Sequence, residues 1–294
     1  MIDLHTHTTA SDGRCTPAEL VARASAAGVT VLSVTDHDTV AGCAAAATAA
    51  GDAGIQFVPG IEITAIRDED DVHVLGYFID QGSPALHAFL AEQRQRRLAR
   101  VRRMIDRLAA SGVRLDADAI LQPGIDDPSR AVGRPWIARA LVAGGHVKTT
   151  SEAFEVWLSH GRPAFVPREA ASPPEVFARI HDAGGIASIA HPGLLGHDDW
   201  MPGFAAAGLD ALEAYHSTHD AIATARYRAL ARHLELAVSG GSDFHADESH
   251  GALGPGSVAL PRDAFDQLLR RAATRASASA AETSSANSTS NPSN

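Results

Sequence analysis

The chain begins with Met1-Ile-Asp-Leu-His-Thr-His-Thr-Thr-Ala-Ser-Asp12, a short strand pattern that carries two histidines. His5 and His7 lie two residues apart, and side chains with this spacing point to the same face of a strand. Two imidazoles therefore project together from the strand end, and Asp12 follows in the loop. Imidazole and carboxylate both bind divalent metals. This segment predicts part of a metal site, but a single His-x-His is a weak signal without support from later strands.

Strand and helix patterns then alternate along the chain. Strand patterns cover 29–38, 55–64, 72–79, 186–192, 208–216 and 236–245. Capping boxes that begin at Thr16, Thr149 and Ser172 predict helix starts. Strands that alternate with helices at this spacing indicate βα units, an α/β fold and a mostly parallel sheet.

The alternation is interrupted by a helical block over residues 83–165, which we interpret as an insertion domain that caps the substrate. Residues 1–82 and 166–275 are then the two parts of one α/β domain. The segment 276–294 is rich in Ser, Ala, Asn and Thr and has almost no large apolar residue, so it is predicted to be disordered.

Composition narrows the functional classes. The 294 residues carry a formal charge of −10, which argues against binding to duplex DNA. No apolar run is long enough to span a bilayer, and no leader precedes the strand at Ile2, so no membrane partner or secretory signal is expected. Two cysteines are too few for a disulfide framework and fit a cytoplasmic protein. No protein partner can be predicted.

Metal-binding side chains recur at the predicted strand ends. They are His5, His7, Asp12, His37, Glu62, His73, His191, Asp243 and His245. The ends of parallel strands open onto one face of a barrel, where active sites form. The alternative is that these histidines merely bond backbone carbonyls, but the recurrence in separate βα units favours a metal site. Nine ligands exceed what one ion needs and suit two or three ions with a bridging carboxylate.

In order along the chain, these motifs resemble those of the PHP (polymerase and histidinol phosphatase) family. They are His5-Thr-His7, Asp12, Thr35-Asp-His-Asp38, Gly60-Ile-Glu62, His73, Ala190-His-Pro192 and Gly241-Ser-Asp-Phe-His245. The resemblance implies a distorted (β/α)7 barrel, phosphoesterase activity and a trinuclear site of divalent ions (Mn, Fe or Zn, with Mg possible). It also implies how the ligands divide: His5, His7, Glu62 and Asp243 at one ion, Glu62, His73 and His191 at a second, and Asp12, His37 and His245 at a third.

The helical insertion and the segment Ser129-Arg-Ala-Val-Gly-Arg-Pro135 resemble one branch of that family. The branch implies removal of the 3′-phosphate from nucleoside 3′,5′-bisphosphates by a metal-bound hydroxide. A first alternative is a 5′→3′ exoribonuclease that acts on short 5′-phosphorylated RNA. The others are a histidinol-phosphate phosphatase and a non-catalytic metal-binding module. The substrate partner is therefore expected to be a nucleotide or a short oligonucleotide.

Other polar residues have more than one interpretation. Arg134 and Arg130, with Ser129 beside them, are candidates for holding phosphate, because guanidinium binds phosphate oxygens bidentately. His216 could protonate the leaving oxygen or bond phosphate, or be structural. Asp36 and Asp38 could orient His37, or Asp38 could cap a helix. The arginines between Arg94 and Arg107 are predicted to lie on a solvated helix face, with RNA guidance as the alternative.

Overall fold

A computed structural model describes residues 1–127, 132–246 and 254–288, with side chains up to residue 277. Its sheet has seven strands in sequential order. They are β1 Ile2–Asp3, β2 Val31–Val34, β3 Gln56–Arg67, β4 Asp70–Tyr77, β5 Ile186–Ile189, β6 Ala211–Tyr215 and β7 Ala237–Gly240. The predicted distorted barrel with seven strands is confirmed.

The barrel closes between its first and last strands. The backbone N–H of Asp243 donates to the His5 carbonyl at 2.8 Å, and that of His7 donates to the Phe244 carbonyl at 3.0 Å. Asp3 reinforces this seam, because its buried carboxylate accepts hydrogen bonds from the backbone and hydroxyl of Ser242. The chain segments that follow β1 and β7 are therefore held side by side.

One strand runs against the others. β4 is antiparallel to both of its neighbours, whereas all other neighbouring pairs are parallel. The start of β4 therefore lies at the end of the barrel where the parallel strands finish. The prediction that His73 stands at the carboxyl end of its strand is wrong, since it lies in the first half of β4; the reversed direction brings it to the same mouth.

Helices surround the sheet. They are α1 Pro17–Ala26, α2 Cys43–Asp52, α3 Pro84–Ala110, α4 Ala117–Asp126, α5 Arg134–Ala143, α6 Thr150–Ala153, α7 Pro173–Asp182, α8 Pro192–Leu195, α9 Met201–Ala206, α10 Ala221–His233 and α11 Arg262–Ser288. The predicted capping boxes at Thr16 and Ser172 are formed. At Thr149 only half of a box forms, because the Glu152 carboxylate accepts from the backbone N–H of Lys148 instead.

The inserted helices α3 to α6, with the π-helical turn Phe154–Leu158 that follows, have a hydrophobic cluster of their own, which includes Val101, Leu108, Ile137 and Leu158. Helix α4 was not predicted, because Pro123 lies inside it and proline normally disfavours a helix interior. Among the described helices, none is long and apolar enough to cross a membrane. The cytoplasmic location stays a prediction.

Helix α11 packs across the end of the barrel where the strands begin. Phe265 and Leu268 belong to the cluster that also contains Leu4 and Leu75. The helix continues to Ser288, so it includes much of the segment 276–294 that was predicted to be disordered. The abundance of alanine explains the difference, because alanine has the highest helix propensity. Residues 289–294 lie outside the described residues.

Candidate metal centre and arginine cavity

The segment after β1 lies in the barrel mouth, where its two histidines are fully buried. Thr6, between them, points the other way, and its hydroxyl donates to the Ser33 carbonyl at 2.6 Å. Gly241 of the loop after β7 passes so close that a Cβ on it would lie 2.3 Å from the His5 backbone nitrogen. Only glycine lets the two segments approach in this way. The predicted pairing of His5 and His7 on one face is confirmed.

Glu62 lies at the centre of the cluster, and five histidines surround its buried carboxylate. Its oxygens lie 3.4 Å from His5 Nε2, 3.2 Å from His7 Nε2, 3.2 Å from His37 Nδ1, 3.0 Å from His73 Nδ1 and 3.2 Å from His191 Nε2. Oε2 faces the first three rings and Oε1 faces the last two. A carboxylate whose two oxygens face two different sets of ligands is in the position of a bridging group.

Two aspartates complete the cluster on opposite sides of His7. Asp243 Oδ1 lies 3.2 Å from His5 Nε2 and 3.3 Å from His7 Nε2. Asp12 Oδ1 lies 3.3 Å from His245 Nε2 and 3.7 Å from His7 Nδ1. The Asp12 side chain is 51% exposed, whereas the rings it faces are mostly buried, so Asp12 closes the cluster on its solvent side.

The electrostatics of the cluster favour bound positive charge. Burial alone would raise the pKa of Glu62 and Asp243, but the surrounding imidazoles outweigh it and hold both pKa values well below their ordinary range. Burial lowers the pKa of His7, yet Asp243 and Glu62 overcome it and raise this pKa to about 9. The negative field that favours a proton on His7 equally favours a divalent cation, because metal binding displaces protons from ligands.

His37 differs from His7. Burial lowers its pKa, Glu62 opposes this, and the positive charge of His7 and His73 adds to the lowering, so that the pKa is about 4. The imidazole of His37 is therefore neutral at pH 7, which is the form that ligates metals.

The ring nitrogens of His7 test whether this geometry fits metal ions. Both are buried and neither makes a hydrogen bond within the described part of the chain, although two carboxylate oxygens lie within 3.3 Å of Nε2. Buried polar atoms are rarely left without a partner. The donor atoms fall into four groups with internal separations of at most 4.8 Å: His7, Asp12, His37, His245; His5, His7, Glu62; His37, Glu62, His73; and His5, His216, Asp243. This donor set fits divalent ions.

The structure brings all nine predicted ligands together, and it adds His216. Nε2 of His216 lies 3.3 Å from Asp243 Oδ2, while its Nδ1 lies 2.9 Å from the Thr218 hydroxyl. This buried histidine was predicted to be an acid or a structural residue, and its position among the other donors makes it a further possible ligand. Glu62 was expected at the end of its strand but lies in the middle of β3, which extends beyond the cluster to Arg67.

Glu213 was missed by the sequence interpretation. It lies fully buried on β6, where its Oε1 is 3.0 Å from Nδ1 of His5 and its Oε2 accepts from the backbone N–H of His191 at 2.6 Å. His191 has a φ of +26°, a conformation that a non-glycine residue keeps only where its surroundings hold it. One carboxylate thus positions two candidate ligands. The available signal was a single acidic residue in an otherwise apolar strand, Ala-Leu-Glu-Ala-Tyr.

The expected roles of the two aspartates beside His37 are not what the structure shows. Asp36 accepts hydrogen bonds from the Thr8 backbone and hydroxyl and from the Ser11 hydroxyl, so it orders the loop that carries Asp12. Asp38 pairs with Arg97 and does not cap α2, whose N-cap is Gly42. A polar residue that follows a strand has several possible partners, and sequence alone does not distinguish them.

A cavity of about 250 Å³ adjoins the cluster, and four arginines line it together with Asp12, His37 and His73. These are Arg97, Arg100, Arg134 and Arg168. The prediction for Arg134 agrees with this position, whereas Arg130 and Ser129 lie outside the described residues. The prediction that the arginines of α3 are solvated is wrong for Arg97 and Arg100, which face this cavity.

Two of these arginines have their charge balanced by nearby aspartates. Arg97 pairs with Asp38, and Arg168 lies 2.7 Å from Asp71. Arg100 and Arg134 have no carboxylate partner among the described residues. Burial, together with the charges of Arg134 and Arg168, lowers the pKa of Arg100 to about 10. Guanidinium groups that lower one another's pKa are close enough to repel each other, and together they form a site for an anion.

Comparisons with known proteins agree with this geometry. A model of the PHP domain matches residues 3–128. The chain is 37% identical to a 3′,5′-nucleoside bisphosphate phosphatase from Chromobacterium violaceum over 83% of this chain and 87% of that protein. It is 36% identical to a 5′-3′ exoribonuclease from Haemophilus influenzae over 83% and 89% of the two chains.

The chain is also similar to a crystal structure from Bifidobacterium adolescentis. That protein is described as a proposed metal-dependent phosphoesterase. It superposes with a TM-score of 0.74 at 33% identity and covers 92% of this chain and 95% of that one. The fold, the donor cluster and these relatives agree, and the chain therefore belongs to the PHP domain family.

Proposed function

We propose that this enzyme is a metal-dependent phosphoesterase that removes the 3′-phosphate from nucleoside 3′,5′-bisphosphates. The observation that carries this proposal is the adjacency of two features in one cavity. The candidate metal cluster lies on one side, and the guanidinium groups of Arg100 and Arg134, which have no carboxylate partner among the described residues, contribute to the lining. A substrate with two phosphates can place one at each. The similarity to the Chromobacterium violaceum phosphatase supports the same substrate class.

The cluster would hold two or three divalent ions, with manganese, iron or zinc as the candidates. His5, His7 and Asp243 would hold one ion, His73 and His191 a second, and Glu62 would bridge them. Asp12, His37 and His245 would hold a third, with His7 close to it. When bound, such ions supply an acidified water and neutralise phosphate oxygens.

The rest of the chemistry falls to side chains of the chain itself. Arg134 and Arg100 would bind the phosphate that is not cleaved and fix the nucleotide's orientation. His37 stays neutral near pH 7, as its pKa of about 4 requires, so it does not add positive charge to the cluster. The helical insertion supplies Arg97, Arg100 and Arg134 to the cavity, and we propose that it caps the bound substrate.

A second candidate is a 5′→3′ exonuclease that acts on short RNA. The Haemophilus influenzae relative favours it, since it is nearly as similar over the same share of the chain. Both activities would use the same ions, and the arginines would then bind the 5′-phosphate of the strand. No feature of the described residues favours histidinol phosphate as the substrate or a non-catalytic role.

The two candidates are separated by their products. The Mn²⁺-loaded protein is given adenosine 3′,5′-bisphosphate or a 5′-phosphorylated oligoribonucleotide at equal concentrations, with histidinol phosphate as a further comparison. The proposal predicts that the bisphosphate releases inorganic phosphate and leaves the 5′-monophosphate. Mononucleotides from the oligonucleotide, without phosphate from the bisphosphate, would instead establish the exonuclease.

A matched pair of variants tests the role of the arginine cavity. Arg134→Gln should raise the KM for the bisphosphate by about tenfold or more, since it removes a charge-assisted contact. Arg139→Gln is the control, because Arg139 is an exposed residue of the same helix whose guanidinium lies over Trp136. Equal KM values in both variants would remove Arg134 from the proposed phosphate site.

A further inference from the structure

A second cavity lies on the outer side of the last strand, away from the candidate metal cluster. It has a volume of about 720 Å³ and is bounded by α10, α11 and the beginning of β7, so we call it the α10–α11 groove. Glu235 to Val238 line it as the chain enters β7, whereas Asp243 and His245 follow the end of that strand. None of the nine candidate metal ligands lines it. A ligand in this groove would therefore not occupy the metal site.

Four arginines lie on the walls of the groove: Arg228 and Arg232 on α10, and Arg270 and Arg271 on α11. None of them forms an ion pair with a carboxylate among the residues that the structure describes, although Glu235 and Asp263 also line the groove. The groove thus has four cationic and two anionic side chains in its lining, although the chain as a whole has 35 acidic and only 25 basic residues. Other arginines of the same two helices, such as Arg226 and Arg262, do pair with an aspartate. The groove therefore has an excess of positive charge.

Two of these guanidinium groups are already held in place. Arg271 donates to the Glu235 carbonyl, and the Arg228 guanidinium lies 5.8 Å from the centre of the Tyr215 ring. An arginine that is fixed before binding loses less conformational entropy when it contacts an anion. The charge of the groove is thus partly preorganised for a ligand.

The groove also offers apolar surface to a flat group. Leu236, Ala237 and Val238 line it beside the half-buried ring of Tyr215. Aromatic rings and arginine side chains both stack on planar bases. The volume is sufficient for a ligand of nucleotide size, since small-molecule pockets are usually about 300–1,000 Å³.

We propose that the α10–α11 groove is a second ligand site that binds a phosphorylated nucleoside. The arginines contact its phosphate, and its base lies against Tyr215 and the apolar residues at the start of β7. This site is distinct from the proposed active site and does not depend on the reaction assigned there.

Tyr215 provides a direct readout, because the chain has only three tyrosines. Tyr77 and Tyr227 are buried, whereas Tyr215 lines the groove. Metal-loaded protein that contains 3-fluorotyrosine is titrated with AMP and followed by ¹⁹F NMR, and Tyr215→Phe assigns the resonance. The proposal predicts a saturable shift of the Tyr215 signal with AMP and weaker binding of inorganic phosphate and of adenosine.

The double variant Arg232→Gln/Arg270→Gln should weaken the AMP-dependent shift by about tenfold or more, because two charge-assisted contacts are lost. Both side chains are exposed, so folding should be unaffected. Arg114→Gln, which removes an exposed charge elsewhere, should leave the shift unchanged. The unmodified protein, the double variant and Arg114→Gln should all have the same kcat/KM.

Several results would overturn the proposal. An unshifted Tyr215 signal would show that the groove is empty at working concentrations. Equal affinity for phosphate and AMP would reduce the groove to a general anion site. Tighter binding of an oligoribonucleotide than of AMP would identify a strand-binding surface instead. Each of these outcomes is independent of which ester the enzyme hydrolyses.

Discussion

The contacts of Glu213 allow a quantitative prediction for the substitution Glu213→Gln. The two carboxylate oxygens face two donors: Nδ1 of His5 at 3.0 Å and the backbone N–H of His191 at 2.6 Å. Glutamine has one acceptor oxygen and one NH₂ group. It can therefore satisfy one donor, and its NH₂ must face the other. The substitution keeps the size of the side chain and removes its charge.

The expected loss follows from the strength of such hydrogen bonds. Bonds to charged groups contribute about 1.5–3 kcal/mol each, which corresponds to about tenfold to about a hundredfold in an equilibrium constant. Groups that orient metal ligands typically affect metal affinity or activity by about 10–100-fold. We therefore expect Mn²⁺ to bind Glu213→Gln about 10–100-fold more weakly than the unmodified protein.

The assay is a Mn²⁺ titration of the metal-stripped protein, with free Mn²⁺ measured by electron paramagnetic resonance. The control is Glu155→Gln, which removes the charge of an exposed glutamate whose carboxylate, among the described residues, accepts from the Ser151 hydroxyl alone at 3.3 Å. Thermal unfolding of both metal-free variants separates a loss of metal affinity from a loss of folding. If Glu213→Gln bound Mn²⁺ as tightly as Glu155→Gln, the reasoning about ligand positioning would be refuted.

Three further substitutions test other parts of the account. Glu62→Gln should lower the metal content and reduce turnover about a hundredfold or more, because it removes the charge that faces five histidines; full activity would contradict the bridging role. Arg100→Lys keeps the charge but loses the Nε–H that donates to the Val166 carbonyl, so KM for the bisphosphate should rise about tenfold with little change in kcat. For Asp210, burial raises the pKa, but His181, a backbone N–H and Arg275 outweigh it and lower the pKa below 3.8. The ionised Asp210 therefore stabilises the fold at pH values above 3.8, and this contribution is lost as the pH falls through the lowered pKa of the folded state. Asp210→Asn should lower the free energy of unfolding by about 1–3 kcal/mol at pH 7 and should make that free energy less dependent on pH below about pH 4.

Much of the fold could be predicted because the strand pattern repeats with a regular spacing. The direction of β4 was not predicted, although the sequence contains the reason. Between β3 and β4 there are only Asp68 and Glu69, both with positive φ. A parallel connection needs a dozen or more residues, so this link allows only an antiparallel hairpin. Attention to the length of the connection would have corrected the prediction.

The candidate ligands could be predicted because each follows or lies on a recognisable strand. The residues that support them could not, since their role depends on contacts across the barrel. Glu213 contacts His5, which is far from it in the sequence, and no residue near Glu213 in the sequence indicates that contact. Arg97 and Arg100 lie among arginines that are exposed, such as Arg96 and Arg103, and helical periodicity did not distinguish them. Only the packing of α3 against the barrel does.

The central claim is that the barrel mouth holds divalent ions which are required to hydrolyse a phosphate ester. The most direct test measures phosphate release from adenosine 3′,5′-bisphosphate before chelation, after exhaustive chelation, and after Mn²⁺ is added back in known amounts. The account predicts that chelation abolishes release and that activity returns as two or three ions bind per chain. Release at the original rate from the metal-stripped protein would contradict it.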